Sequence, residues 1–290
     1  MPDPIGTISR VLRWSVVDGP GNRLVLFLQG CNFNCPGCHN PHTIGVCNDC
    51  GDCIPACPTD ALTLVDGRIA FDPTLCTDCD ECLRACPISA NPMVRRMSVE
   101  DVLVLLRRDV AFLNGLTVSG GEATMQLKFV RALFAAVKAA PDLAHLTCFV
   151  DSNGHLGPQG WAKLLDVTDG VMLDIKAFDP DRHRNLTGQG NERVLASARL
   201  LAKAGKLAEL RFLLVPGQTD NTDEIDALRD FARSLGPGIR LRLNAFQHHG
   251  VRGPARDWPV MRRAGVEQAA ARLMAADIGP LVLPSVWLNG

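Results

Sequence analysis

Eleven of the 12 cysteines of this chain fall between Cys31 and Cys86, a window of 56 residues; the twelfth is Cys148. Such density in a short secreted chain would mean a disulfide framework, but 290 residues can bury a sizeable core without staples. The stretch Met1-Pro2-Asp3-Pro4-Ile5 lacks the basic and apolar regions of a signal peptide, and no run of about 18 apolar residues occurs. The expectation is therefore a cytoplasmic protein without membrane contact, whose clustered cysteines stay reduced and bind metal or do chemistry. A formal net charge of −1 leaves no electrostatic footprint for nucleic acid.

The cysteines form two groups. Cys31-x3-Cys35-x2-Cys38 stands alone, whereas Cys47-x2-Cys50-x2-Cys53-x3-Cys57-Pro58 recurs 29 residues later as Cys76-x2-Cys79-x2-Cys82-x3-Cys86-Pro87. The segment around this repeat, residues 47–92, carries eight acidic residues (Asp49, Asp52, Asp60, Asp66, Asp72, Asp78, Asp80, Glu81) against Arg68 and Arg84. It reads as a small inserted module with internal two-fold character, within a larger domain made of residues 1–46 and 93–290. Its acidic face is either a contact for a donor protein or a solvated surface.

Outside the module, strand-like apolar runs alternate with helical patterns. Strands are expected at 24–28, 116–118, 146–150, 170–173, 209–215 and 239–243. Helices are expected at about 98–108, 127–139, 161–165, 192–204, 223–235 and 266–275. Ser98 and Asp101 have the spacing of a capping box. This alternation argues for βαβ units, a parallel sheet and a partial (β/α)6 barrel, in which function collects at the C-terminal ends of the strands.

Cys31, Cys35 and Cys38 follow the first strand directly. Three such thiolates can hold three irons of a [4Fe–4S] cube and leave the fourth iron open; on spacing alone, zinc with His39 or His42 as fourth ligand is the rival. The C-x3-C-x2-C motif at a first strand end resembles the radical S-adenosylmethionine (SAM) superfamily, in which the open iron is chelated by SAM. That family usually has an aromatic residue before the third cysteine, where this chain has Gly37. Upstream, Asp18-Gly19-Pro20-Gly21 with Arg23, leading to Phe27-Leu28-Gln29-Gly30-Cys31, resembles the signature of glycyl-radical-enzyme activating enzymes. As an isolated tetrapeptide it would be only a tight turn. The resemblance runs over about residues 5–250 and is nearest to the YjjW-type glycine radical enzyme activases, through the segment from Arg13 to Pro41, Leu207-Ala208-Glu209-Leu210-Arg211 and Asn244-Ala245-Phe246.

The doubled motif resembles the bacterial two-cluster ferredoxins, where three cysteines of each run bind one cube and the fourth crosses to the other. By that resemblance Cys47, Cys50, Cys53 and Cys86 hold one cube and Cys76, Cys79, Cys82 and Cys57 the other, giving three [4Fe–4S] clusters in all. Relay of electrons and support of the fold are both open roles for the two insert cubes.

The superfamily resemblance also implies residue roles at the other strand ends. Gly120, Gly121 and Glu122 match the segment that binds the SAM amino group, although Gly-Gly-Glu alone is also an ordinary βα turn. Asp151, Ser152, Met172 and Asp174 match residues that hold a monovalent cation, and Lys176 and Arg211 match SAM contacts; a structural Asp174–Lys176 pair is the plain alternative. Gln247 stands where the family often has histidine, next to His248 and His249. Gly188-Gln189-Gly190 lacks the context of a dinucleotide site, and Cys148 reads as a small core residue. The activity implied is reductive cleavage of SAM and hydrogen abstraction from a backbone glycine of a partner glycyl radical enzyme. The electron would come from a low-potential donor such as flavodoxin or ferredoxin. No residue is expected to be catalytic beyond the SAM-binding cluster. A radical SAM enzyme acting on a small molecule or another peptide, and an Fe–S electron-transfer protein without SAM chemistry, are the other classes the motifs admit.

Overall fold

A computed structural model describes residues 4–274 and 278–284. The chain divides into two compact units, Met1–Asn32 with Asn40–Leu146, and Phe33–His39 with Thr147–Gly290. Among the described residues no helix is long and apolar enough to cross a membrane.

The first unit holds β1 (Gly6–Ser15), β2 (Arg23–Leu28), β3 (Leu62–Val65), β4 (Arg68–Phe71), α1 (Glu81–Ala85), β5 (Arg95–Met97), α2 (Val99–Asp109), β6 (Gly115–Gly120) and α3 (Leu127–Ala139). β2 runs parallel to β6, in register from Arg23↔Gly115 to Leu28↔Gly120. β1 pairs antiparallel with β2 and, at its start, with β5. β2 is buried almost throughout, as a strand inside a parallel sheet must be. α2 begins with the expected capping box: Ser98 accepts from the Asp101 N–H, and the Asp101 carboxylate accepts from the Ser98 N–H.

The second unit holds β7 (Thr147–Ser152), α4 (Pro158–Ala162), β8 (Gly170–Ile175), α5 (Pro180–Thr187), α6 (Glu192–Lys203), β9 (Leu207–Leu214), α7 (Thr222–Ser234), β10 (Arg240–Ala245), α8 (Arg263–Met274) and β11 (Leu281–Val282). Its strands pair in parallel in the order β7, β8, β9, β10, β11. Thus the six strands expected from the sequence are all present, β2 parallel to β6 in the first unit and β7 to β10 parallel in the second, and each leads into helical structure, consistent with a partial barrel. Residue 275, the last of the expected final helix, lies outside the described residues.

Several elements escaped the hydrophobic pattern. β1 is half exposed and interrupted by Arg10 and Arg13, so its period is blurred. α5 is too polar to show an apolar stripe, yet its ends are explicit: the Asp179 carboxylate caps the Arg182 N–H, Pro180 sits in the first turn, and Gly188 ends it at φ +80°. Gly188 therefore terminates a helix and is not part of a nucleotide loop. The hairpin β3–β4 turns on Asp66 (φ 49°) and Gly67 (φ 73°), the two left-handed residues a tight two-residue hairpin demands.

Candidate metal centres and strand-end site

In the first unit, β2 ends in Gln29-Gly30-Cys31, and backbone bonds lace this exit to the strap 40–46. Gly30 N–H donates to the Thr43 carbonyl (2.8 Å) and Cys31 N–H to the Ile44 carbonyl (2.9 Å). The Gln29 amide donates to the carbonyls of His42 (2.9 Å) and Gly45 (2.5 Å). At the end of β6, a Cβ on Gly121 would lie 2.3 Å from the Gly30 oxygen and 2.5 Å from that of Thr43, so only glycine fits. Glu122 N–H donates to the Gly30 carbonyl (2.8 Å). The buried Glu122 carboxylate accepts from the Thr124 N–H (3.0 Å) and hydroxyl (2.6 Å). Gly120, Gly121 and Glu122 thus bind the end of β6 to the loop that carries Cys31.

In the second unit, the loop with Cys35 and Cys38 is braced by residues distant in sequence. Asn34 N–H donates to the Thr187 carbonyl at the end of α5 (2.9 Å). Phe33 is buried edge-on to the rings of His155 (centroids 5.5 Å) and His183 (5.7 Å). A Cβ on Gly37 would stand 3.1 Å from Phe246 and 3.3 Å from Trp258, so two rings fill the space beside this glycine. Burial pushes the Cys35 thiol up to about 11, against the opposing pull of the Lys176 charge.

Register explains how the charged residues of β7, β8 and β9 meet. Asp151 on β7 lies opposite Met172 on β8, and Asp174 opposite Arg211 on β9. Arg211 donates to Asp151 Oδ1 (3.2 Å) and Glu209 Oε1 (2.7 Å), and its Nη2 reaches Met172 Sδ at 2.9 Å. Lys176 Nζ donates to Asp174 Oδ2 (2.7 Å). Burial opposes both cations, but facing carboxylates win: Asp174 raises Lys176, while Asp151, Asp174 and Glu209 raise Arg211. Asp174 is held below the usual carboxylate range, despite burial, by Lys176 and Arg211. Ser152 Oγ accepts from Gly154 N–H (3.0 Å). Two carboxylates of the expected cation set, Asp151 and Asp174, are therefore engaged by cations of the protein itself.

The doubled motif is reproduced in the backbone. Left-handed residues recur at the same offset of 29: Asp49 with Asp78, Gly51 with Asp80, and Asp60 with Ser89. Asp49 N–H donates to Cys47 Sγ and Asp78 N–H to Cys76 Sγ, both at 3.4 Å. Cys53, Leu62, Cys82 and Leu83 form the core of a small cluster joined by Ile54, Ile69, Phe71 and Met93. Two small clefts open in this segment. Cys47, Cys50, Cys53 and Cys86 line one; Cys57, Cys76, Cys79 and Cys82 line the other. Burial pushes the Cys53 and Cys82 thiols each up to about 11, so loading with metal must release protons. Among the described residues no three or more His, Cys, Asp or Glu side chains stand where one metal ion could be held. Four thiols lining one cleft, none grouped closely enough to hold a single ion, suit a polynuclear cluster better than a tetrahedral zinc, whose Zn–S bonds are only about 2.3 Å.

The turn Asp18-Gly19-Pro20-Gly21 lies at the opposite end of β2 from Cys31. Fully buried Arg23 donates to Thr117 Oγ1 (2.7 Å), the Leu116 carbonyl (2.8 Å) and the Pro20 carbonyl (3.1 Å). Thr117 Oγ1 in turn donates to the Asp18 carbonyl (2.7 Å). In this structure the motif locks the start of β2 to the start of β6. Gln247 donates to the Met261 carbonyl (2.9 Å), and His248 Nε2 bonds the Trp258 carbonyl (2.7 Å), so both hold the loop after β10. Sequence reading missed this loop and its Trp258; the pairing of a glycine at 37 with an unassigned tryptophan was the available signal. Cys148 is fully buried, as expected of a core residue.

A sequence model of the radical SAM superfamily matches residues 25–232. The pyruvate formate-lyase-activating enzyme of Streptococcus mutans is 33% identical over 253 residues, covering 84% of this chain and 79% of that protein. The benzylsuccinate synthase activating enzyme of Thauera aromatica is 32% identical, covering 96% of this chain and 94% of that protein. Among solved structures, QueE from Escherichia coli aligns at a TM-score of 0.53 and 11% identity, over 97% of this chain and 95% of that one.

Proposed function

The chain belongs to the radical SAM superfamily and, within it, to the glycyl-radical-enzyme activating enzymes, and from that premise we propose that it activates a partner glycyl radical enzyme. The reaction is reductive cleavage of SAM followed by abstraction of a hydrogen atom from one backbone glycine of the partner. The observation that carries this reading is a three-thiol loop at the end of β2, in a chain whose other parallel strands carry the expected Gly-Gly-Glu, Asp and Lys residues at their ends and Arg211 within β9.

Cys31, Cys35 and Cys38 would hold a [4Fe–4S] cluster through three irons, a fit supported by the exclusively thiol donor set. When bound, that cluster supplies one electron to the SAM sulfonium, whose carbon–sulfur bond breaks to give the radical that takes the glycine hydrogen. Gly120, Gly121 and Glu122 would shape the backbone against the SAM amino group. Lys176 and Arg211, both held firmly cationic, would face anionic groups of SAM. Asp151, Ser152, Met172 and Asp174 would take a monovalent cation only by drawing Asp151 and Asp174 away from Arg211 and Lys176. These residues bind and orient; none needs to gain or lose a proton.

Residues 47–92 form a ferredoxin-like module for two further [4Fe–4S] clusters, one on Cys47, Cys50, Cys53 and Cys86, the other on Cys57, Cys76, Cys79 and Cys82. The two four-thiol cavities support this reading, because each gathers three cysteines of one run and the last of the other. A low-potential flavodoxin or ferredoxin would be the donor.

Anaerobic reconstitution, iron counting and a SAM-cleavage assay with dithionite test the proposal. About 12 irons per chain, 5′-deoxyadenosine formation, and a glycyl-radical EPR signal on adding a glycyl radical enzyme are expected. Absence of SAM cleavage overturns the function, and about 4 irons overturn the two-cluster module.

A further inference from the structure

The two cavities of the module are close to equivalent by themselves: each has one buried, one exposed and two half-buried cysteines. What separates them is how each joins the backbone around Cys31. Cys47 is the residue immediately after the strap 40–46. The path from it runs through Val46 and Gly45 to the Ile44 carbonyl, which accepts the Cys31 N–H at 2.9 Å. Val46 also packs 3.3 Å from the Cβ position of Gly30, the residue before Cys31.

A second bridge reaches the same cavity from its other side. Ala90 N–H donates to Cys86 Sγ at 3.3 Å. The neighbouring Ser89 carbonyl accepts from Gly45 N–H at 3.1 Å, and the Gly45 carbonyl accepts from the Gln29 amide. The contact at Gly45 is so close that a Cβ there would lie 2.0 Å from the Ile88 oxygen. Two cysteines of the first cavity are thus tied by short covalent and hydrogen-bonded paths to Gln29 and Cys31. The second cavity is walled by Thr59, Ala61, Leu62, Phe71, Thr77 and Met93 beside its cysteines, a lining that takes in none of the residues of these bridges.

Electron tunnelling weakens steeply with distance and is carried better by bonds and hydrogen bonds than across gaps. Resting on the two-cluster reading, we infer that the module has a fixed polarity: the Cys57/Cys76/Cys79/Cys82 set takes the electron in, and the Cys47/Cys50/Cys53/Cys86 set passes it to the Cys31/Cys35/Cys38 set. One electron leaves a low-potential one-electron donor, which is oxidised by one. Each set is reduced and reoxidised by one in turn, and the electron is consumed in breaking one carbon–sulfur bond of SAM. No proton moves between the sets.

The test reads spin–spin interaction, not turnover. Cys50→Ser and Cys79→Ser, at exposed ligands of the first and second cavity, are reconstituted anaerobically beside the wild type and photoreduced with a deazaflavin, which needs no docking site. The EPR relaxation of the SAM-bound cluster is then recorded. Cys79→Ser should keep the fast, split relaxation of the wild type, and Cys50→Ser should lose it. The reverse pattern, or equal interaction in both variants, overturns the polarity. Gly45→Ala removes no ligand and should keep about 12 irons while weakening the interaction, because its Cβ must push Ile88 away; an unchanged interaction at full iron content counts against the bridge. About 4 irons in the wild type would overturn the two-cluster reading itself, whereas a full count with the wrong pattern overturns the polarity alone.

Discussion

The two cysteine regions are built on opposite principles. In residues 47–92 the ligands, the left-handed turns and the small core all come from the same stretch of chain and repeat at an offset of 29 residues. The loop with Cys35 and Cys38 is short and closes a single turn of its own, Cys38 N–H donating to the Cys35 carbonyl (3.1 Å). It is held by Thr187, His155, His183, Phe246 and Trp258, residues that lie far along the chain. On the proposed function, a closed cluster that only passes electrons can be specified locally, whereas a cluster with one open iron needs a loop braced from far along the chain.

The widest gap between the regions should appear in chemistry. Cys35→Ala is expected to abolish SAM cleavage entirely and lower the iron content from about 12 to about 8 per chain. Cys50→Ser should keep dithionite-driven cleavage, since a small reductant bypasses the module. Quantifying 5′-deoxyadenosine beside iron checks both; cleavage by the Cys35 variant would erase the distinction drawn here.

The next effect is energetic. Arg211 ties together Asp151, Glu209 and Met172 from three strands. Arg211→Ala leaves Asp151 without this partner, while Glu209 retains Arg240 and Arg242. Removing one member of such a buried network costs about 3–5 kcal/mol. Denaturant unfolding of the variant should show a loss of this order, whereas Arg84→Ala, whose partner Glu81 lies exposed on the module, should cost far less.

How much of this was legible in the sequence follows the same divide. The two cysteine runs of the module could be seen because their spacing is local, while their crossed grouping rested on the resemblance to two-cluster ferredoxins; the six strands could be read because strands buried on both faces are continuous apolar runs. The capping box at Ser98 and Asp101 was visible for the same reason. The role of the Asp18–Gly21 turn was not: only Arg23 reaching Thr117, 94 positions away, shows it to be a lock between two strand starts. Nor could spacing reveal that Asp151 and Asp174 meet Arg211 and Lys176, because strand register sets that. Gly37 looked like a bare departure from the family pattern until Phe246 and Trp258 were seen against it.

That last pairing can be broken and repaired. Gly37→Tyr puts a ring where Phe246 and Trp258 already approach to 3.1 and 3.3 Å. Overpacking of this kind costs about 1–3 kcal/mol. Trp258→Ala should open space for it, so the double variant should be more stable than the sum of the two single losses predicts. A strictly additive thermal-unfolding cycle would show that Trp258 does not stand in for the missing aromatic side chain.

The smallest difference concerns protons. All seven histidines lie outside residues 47–92. His183, fully buried on α5, is held below its ordinary value, first by burial and also by the Lys176 charge, although its Nδ1 bonds the Gln189 carbonyl at 2.8 Å. A base whose folded pKa is depressed stays neutral in the fold while the unfolded chain takes up a proton. Its contribution to stability is therefore complete above the unfolded value of about 6.5 and is lost as pH falls below it, by at most about 1.4 kcal/mol per pH unit. His183→Asn keeps a donor toward Gln189 and removes the titration. The difference between wild type and variant in unfolding free energy should be flat above neutrality and shrink as pH is lowered toward 5. A difference that does not change over that interval would mean that the imidazole beneath Phe33 is as free to take a proton in the fold as in water, and that the loop's support is not buried in the sense argued above.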